Sequence, residues 1–154
     1  MRDAMSNPQP ITIILAEDDD GHASLVERNL ERAGLLNGFL RVRDGQELLD
    51  TLASQGKEDG PVLSGEVVIL LDINMPRIDG IEALKQIKAN EATKSIPVIM
   101  LTTTDDPREV NRCYELGANV YITKPVEYDN FIEAIRRLGL FLQIVKRPRN
   151  GWNS

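Results

Sequence analysis

Short apolar runs alternate along the chain with segments whose apolar residues recur every three or four positions. The runs are typical of strands buried on both faces, and the spaced segments are typical of helices that bury one stripe. Five such strand–helix units in a row predict a parallel sheet with helices on both faces. The predicted strands are 11–16, 39–42, 67–72, 97–102 and 120–123, and the predicted helices are 21–33, one that begins after Asp44-Gly45 and carries Leu48, Leu49 and Leu52, then 80–89, 107–117 and 126 to about 145.

Turn residues mark where the predicted elements begin and end. Gly34 ends the first helix, Pro107 opens the fourth, and Asp79-Gly80 leads into the third. Asp20 is the expected N-cap of the first helix. The polar segment 55–66 is predicted to be a long loop. Residues 1–10 and 147–154 are expected to be loose ends on a single domain, 11–146.

Composition narrows the class of protein. A chain of 154 residues with 42% apolar residues suits one domain with a real core. No apolar stretch approaches the roughly 20 residues of a membrane span, and residues 1–10 lack a signal-peptide core, so a cytoplasmic location is expected. The net charge of −6 and the lack of a long basic run argue against nucleic-acid binding.

Polar side chains follow four of the predicted strands where each strand ends. Glu17-Asp18-Asp19-Asp20 follow the first, Asp72 ends the third, Thr102 ends the fourth, and Lys124 follows the fifth. Because the carboxyl ends of parallel strands meet at one edge, we expect these side chains to share a crevice. Four adjacent carboxylates that face a fifth raise one another's pKa unless a cation joins them, which predicts a hard divalent ion such as Mg²⁺.

This combination suits phosphoryl transfer to an aspartate. Asp72 is the expected nucleophile, and Mg²⁺ would neutralise the incoming phosphoryl group. The ammonium of Lys124 and the hydroxyl of Thr102 would bind the remaining oxygens. Each residue alone has an ordinary structural explanation, so the prediction depends on their convergence at one edge.

The same positions resemble the receiver domain of bacterial two-component response regulators. The matching segments are IILAEDD (13–19), LDINMPRIDG (71–80), IPVIMLT (96–102), GANVY (117–121) and TKP (123–125). The resemblance implies a flavodoxin-like α/β fold, a (βα)5 three-layer sandwich with sheet order 2-1-3-4-5. It also implies a phosphorylated signalling domain, whose only chemistry is its own phosphorylation and dephosphorylation, and not an enzyme.

The resemblance further implies a role for each acidic residue of the crevice. Asp72 would accept a phosphoryl group from a phosphohistidine of a sensor histidine kinase or phosphotransfer protein. Asp18 and Asp72 would ligate Mg²⁺ directly, Glu17 would act through water, and the backbone carbonyl of Asn74 would be another ligand.

The remaining roles implied by the resemblance concern the phosphoryl group and the switch. Thr102 and Lys124 would bind the phosphoryl oxygens. Tyr121 would be an aromatic switch that turns inward when Thr102 moves.

No output domain is recognised after the last predicted helix, so a stand-alone regulator is expected. The apolar segment 138–145 resembles the end of stand-alone receivers that partner phytochrome-like and other bacterial sensor kinases. An apolar helix end needs a cover, which predicts a homodimer through the last strand and helix.

Three alternatives stay open at this point. A phosphohydrolase of the haloacid dehalogenase type also forms an aspartyl phosphate, but its Asp-x-Asp pattern follows the first strand, whereas here the residue two beyond Asp72 is Asn74. A flavin- or nucleotide-binding module would need a first loop rich in Gly, Ser and Thr. A receiver that acts only as a phosphate sink, with no downstream target, is the third.

Overall fold

The computed structural model describes residues 11–34, 38–54 and 66–137. Within these ranges strands and helices alternate through the chain. In order they are β1 (Ile11–Ala16), α1 (Asp20–Arg32), β2 (Phe39–Val42), α2 (Gly45–Ala53), β3 (Glu66–Asp72), α3 (Gly80–Ala89), β4 (Val98–Thr102), α4 (Pro107–Glu115), β5 (Val120–Thr123) and α5 (Tyr128–Arg137).

The strands form one parallel sheet in the order β2-β1-β3-β4-β5. The central strands are buried on both faces because helices cover each side, as continuous apolar runs require. Helices α1 and α5 contribute to the core on one face, and α2, α3 and α4 contribute to the core on the other. The predicted three-layer fold and strand order are therefore confirmed.

Alternate residues of each central strand enter opposite cores. In β1, Ile13 and Leu15 pack in the core that includes Phe131 of α5, whereas Ile14 packs in the core that includes Leu84 of α3. Full burial of such a side chain contributes roughly 1.5–3 kcal/mol, so the sheet is held firmly from both faces. The strand ends that carry the polar residues therefore have a rigid support.

The N-cap of helix α1 is Asp19, one residue before the predicted Asp20. The Asp19 carboxylate accepts a hydrogen bond of 2.8 Å from the backbone N–H of His22. The prediction of Asp20 was wrong because Asp20 is already helical and its carboxylate binds arginines of β2. Gly34, with φ of +77°, follows the helix as predicted.

Helix α3 begins close against the end of β3. A Cβ atom on Gly80 would collide with the backbone carbonyl of Asp72, so only glycine permits this approach. Asp79 caps the helix by accepting from the N–H of Glu82 at 2.9 Å. The position of Asp72 is thus tied to the start of α3.

Several predictions concern segments outside the described residues. These are the loose ends, the loop 55–65 and the continuation of the last helix to about residue 145; α5 is described as far as Arg137. In the described part of the chain, no helix is long and apolar enough to cross a membrane.

Candidate functional site

The polar residues predicted at the strand ends lie at the carboxyl edge of the sheet. Asp72 is the last residue of β3, and Glu17 directly follows β1; both are buried. Thr102 ends β4 and follows Leu101, the register partner of Asp72. Lys124 follows β5, and its peptide bond to Pro125 is cis. Glu17 and Asp72 therefore lie at the ends of neighbouring strands, away from solvent.

Lys124 bridges these two buried carboxylates. Its Nζ donates to Oε1 of Glu17 at 2.7 Å and lies 3.2 Å from Oδ1 of Asp72. The side chains of all three are at most 5% exposed. One ammonium faces two carboxylates, so the buried group carries an excess negative charge that a further cation would balance.

The protonation of Asp72 reflects this imbalance. Burial, followed by the repulsion of the Glu17 carboxylate, raises the pKa of Asp72 from an ordinary 3.8 to about 6, and Lys124 offsets only part of the rise. The carboxylate is therefore poorly stabilised as an anion until a further positive charge arrives.

A third carboxylate completes a set suited to a divalent ion. Oxygens of Glu17, Asp18 and Asp72 all lie within 4.8 Å of one another. Asp18 is exposed, so the cluster opens to solvent on one side. Three oxygen donors and the excess negative charge fit a hard cation. The carbonyl of Asn74 as a ligand, and a water between Glu17 and the ion, stay predictions.

The rest of the acidic segment is engaged elsewhere. Asp19 caps α1, and Asp20 accepts from Nη1 of Arg41 at 2.8 Å and from Nη1 of Arg43 at 3.0 Å. These hydrogen bonds lower the pKa of the Asp20 carboxyl. The expectation that four carboxylates face Asp72 was therefore wrong: only Glu17 and Asp18 belong to its cluster.

Thr102 and Tyr121 are linked through the loop between β4 and α4. The hydroxyl of Thr102 lies 3.4 Å from Oε1 of Glu109 and accepts from the N–H of Thr104 at 3.2 Å. The hydroxyl of Tyr121 donates to the carbonyl of Thr104 at 2.9 Å. Burial raises the pKa of Tyr121 to about 12, so this hydroxyl keeps its proton at neutral pH. The geometry couples the two residues predicted to act as a switch.

Sequence reasoning missed several contacts of the site. Arg41 and Glu109 carry no motif, although an Arg-x-Arg pattern at the end of a neighbouring strand is a signal for partners of an acidic loop. An ion pair between two loops at this edge was also missed. Arg77, with φ of +67°, donates through Nε and Nη2 to both oxygens of Asp44, at 3.0 and 3.1 Å.

Comparison with known proteins agrees with this geometry. The family model of the response regulator receiver domain matches residues 13–136. The response regulator Rcp1 of Synechocystis is 35% identical over 145 residues, which cover 93% of this chain and 96% of that protein.

Solved structures of similar proteins extend the comparison. The bacteriophytochrome response regulator RtBRR has a TM-score of 0.76 at 39% identity, over 94% of this chain and 86% of that one. The Mn²⁺-bound form of Rcp1 has a TM-score of 0.71 at 34% identity, over 91% and 100%. The phosphorylated cyanobacterial phytochrome response regulator RcpA has a TM-score of 0.69 at 30% identity, over 84% and 91%.

The matched family is one of signalling domains and not a known family of catalytic enzymes, so the phosphohydrolase alternative is not favoured. The metal-bound relative and the acidic cluster together indicate binding of a divalent metal. By family model, relatives and fold, the chain belongs to the response regulator receiver domain family.

Proposed function

We propose that Asp72 is the phosphoacceptor, that it takes a phosphoryl group from a phosphohistidine of a sensor histidine kinase or phosphotransfer protein, and that Mg²⁺ is the ion used. The observation that carries this proposal is the buried Asp72 carboxylate, 3.2 Å from the Lys124 ammonium and within a three-carboxylate cluster. A phosphorylated structural relative and a metal-bound one support it.

The transfer forms one bond and breaks another. An Oδ atom of Asp72 attacks the phosphorus, the P–N bond of the donor breaks, and its electron pair returns to the imidazole nitrogen. Asp18 and Asp72, Glu17 through water and the carbonyl of Asn74 would hold Mg²⁺, which would supply charge neutralisation at the phosphoryl oxygens. Lys124 pairs with the phosphoryl group from the position in which it now contacts Asp72.

Thr102 and Tyr121 carry the signal away from the site. A Thr102 hydroxyl that binds the phosphoryl group must leave Glu109 and the N–H of Thr104, its present neighbours. Because Tyr121 is bonded to the carbonyl of Thr104, movement of this loop changes the position of the Tyr121 ring. Phosphorylation then shifts a two-state equilibrium of the loop and α4.

Labelling by a small phosphodonor tests the phosphoacceptor. Acetyl phosphate with Mg²⁺ is expected to add one phosphoryl group, seen as a single mass increase, and a chelator should abolish it. Asp72→Asn should take no label, whereas Asp129→Asn, at an exposed carboxylate in the first turn of α5, should label like the wild type. Labelling that persists in Asp72→Asn contradicts the proposal, and steady release of phosphate from esters favours the phosphohydrolase.

The kinase is proposed to be of the phytochrome-like class, because RtBRR and RcpA are named as phytochrome response regulators. Transfer from a labelled phytochrome-like kinase should outpace transfer from an unrelated sensor kinase, and equal rates would contradict this assignment. A cytoplasmic location, the domain limits 11–146 and the choice between messenger and phosphate sink stay predictions.

A further inference from the structure

Arg41 of β2 contacts the acidic segment at two points. Its Nε and Nη2 donate to the backbone carbonyl of Glu17 at 3.0 and 2.8 Å, and its Nη1 donates to Oδ1 of Asp20 at 2.8 Å. The side chain is only 20% exposed. A rigid guanidinium fork therefore fixes both ends of the segment that supplies Glu17 and Asp18.

We propose that Arg41 is a positioning residue for the divalent-ion site: it holds the Glu17 carbonyl and draws Asp20 aside, so that Glu17 and Asp18 face Asp72. The proposal rests on the proposed use of a divalent ion at this cluster. It concerns ion affinity, and Arg41 itself contacts neither the ion nor the phosphoryl group.

Both backbone polar groups of Glu17 are hydrogen-bonded to residues of β2. Its N–H donates to the carbonyl of Val42 at 3.0 Å, and its carbonyl accepts from Arg41. The buried Glu17 side chain then reaches Lys124, and its Oε2 accepts from the N–H of Asp19 at 3.1 Å. Without Arg41 the carbonyl loses both side-chain donors, and the loop that carries Asp18 loses its attachment to the sheet.

An electrostatic role and a positioning role of Arg41 predict opposite changes in cation affinity when this arginine is removed. If Arg41 acted only through its positive charge, its removal would strengthen cation binding, because like charges near the ion repel it. If Arg41 positions the ligands, its removal weakens binding. Residues that orient metal ligands without touching the metal typically change metal affinity by about 10–100-fold when mutated.

Arg43 offers a matched control. It binds the same oxygen of Asp20 as Arg41 does, at 3.0 Å, but its side chain is 61% exposed. Its side chain makes no hydrogen bond to the Glu17 carbonyl, which Arg41 holds. The two arginines therefore share the effect of charge on Asp20 and differ in the contact with the Glu17 backbone.

Titration with Mn²⁺, followed by electron paramagnetic resonance of the free ion in the full chain without a phosphodonor, tests the inference. Arg41→Ala should weaken Mn²⁺ binding by about tenfold or more. Arg43→Ala should stay close to the wild type or, because it removes a positive charge, bind slightly more tightly. Arg41→Lys keeps the charge and loses the fork, so it should also bind more weakly.

Equal or tighter binding by Arg41→Ala, or equal weakening by Arg43→Ala, would overturn the inference. Far-UV circular dichroism and the Tm check the fold, and if Arg41→Ala does not fold, Arg41→Lys decides by the same criterion. Saturating Mg²⁺ should restore acetyl phosphate labelling of the Arg41 variant, because the expected defect is in ion affinity.

Failure of the proposed function gives a different result. Wild-type protein that binds Mn²⁺ yet takes no label rejects the phosphoacceptor role, and the Mn²⁺ titration still decides the role of Arg41. Wild-type protein that labels while Arg41→Ala titrates normally rejects only the positioning role. Wild-type protein that binds no Mn²⁺ rejects both the divalent-ion site and the positioning role of Arg41.

Discussion

At the scale of single residues, the ionisation of Asp72 links the site to pH. Its pKa of about 6 lies above the ordinary 3.8, so the folded metal-free protein binds more protons than the unfolded chain between these values. The contribution of Asp72 to stability is therefore present below about pH 4 and is lost as the pH rises through 6.

The free energy of unfolding is expected to depend on pH differently in the wild type and in Asp72→Asn. Without metal, the free energy of unfolding of the wild type should fall relative to the variant by on the order of 1–3 kcal/mol from pH 4 to pH 7. Urea unfolding at several pH values measures it. Mg²⁺ at pH 7 should reverse the loss in the wild type, and a constant difference across this range would contradict the assigned cause.

Lys124 is expected to stabilise the metal-free fold as well as to bind a phosphoryl group. Lys124→Ala leaves the buried Glu17 and Asp72 without their ammonium, so it should lower the free energy of unfolding by about 3 kcal/mol. Lys94→Ala, which breaks an exposed pair with Glu91, should cost less than about 1 kcal/mol. Denaturant unfolding without metal compares the two, and equal costs would contradict the burial argument.

Residues at strand ends could be predicted from sequence because topology alone brings them to one edge. The cap of α1 was missed by one position, since a run of aspartates offers equivalent caps and only the contacts of Asp20 with β2 separate them. The Arg-x-Arg pattern of β2 signals a partner for the acidic loop, but the pattern alone does not show which arginine reaches Glu17, because that depends on the register that places Arg41 beside Leu15.

At the scale of elements, the fit of α3 against β3 sets the site. Gly80→Ala would push the helix away from the Asp72 carbonyl, with a cost of about 1–3 kcal/mol in stability. The displaced strand end should also slow labelling of Asp72. Urea unfolding and acetyl phosphate labelling check both effects.

A glycine in open surroundings provides the comparison. A Cβ on Gly34 would meet nothing within 4 Å, so Gly34→Ala should cost only the strain of its positive φ, about 1 kcal/mol, with normal labelling. Normal labelling in Gly80→Ala would contradict the proposed coupling of helix and strand.

Most element boundaries were predictable because apolar runs and turn residues agree. β1, β2, β5 and α3 have the predicted bounds, whereas β3 begins one residue earlier and β4 one residue later. The β4 difference involves Pro97, which has no N–H for a sheet ladder. The bonds from the loop after β4 to Tyr121 were not predictable, since the polar residues there show no periodicity.

At the scale of the whole molecule, β5 lies at one edge of the sheet. Among the described strands it pairs only with β4. A groove of about 260 Å³ runs between β5 and α5, lined in part by Asn130 and Glu133. We expect the predicted homodimer to form there, since an unpaired strand edge favours pairing with a second copy.

A bulky substitution in this groove tests the dimer. In analytical ultracentrifugation, Asn130→Trp should show a larger fraction of monomer than the wild type does at the same concentration. Lys85→Trp, at an exposed position on α3 of the opposite sheet face, should not. A wild-type chain that sediments as a monomer at every concentration would contradict the expectation.

The two separate cores have a consequence for how such a molecule diversifies. Tyr121, α4 and α3 share one core, whereas α1 and α5 pack in the other, and the sheet lies between them. We expect a rearrangement that begins near Thr102 to repack the core shared by Tyr121, α3 and α4, and to leave the core of α1 and α5 in place. Substitutions on the outer surface of α1 and α5 would then accumulate over evolutionary time without changing the packing of the half that moves.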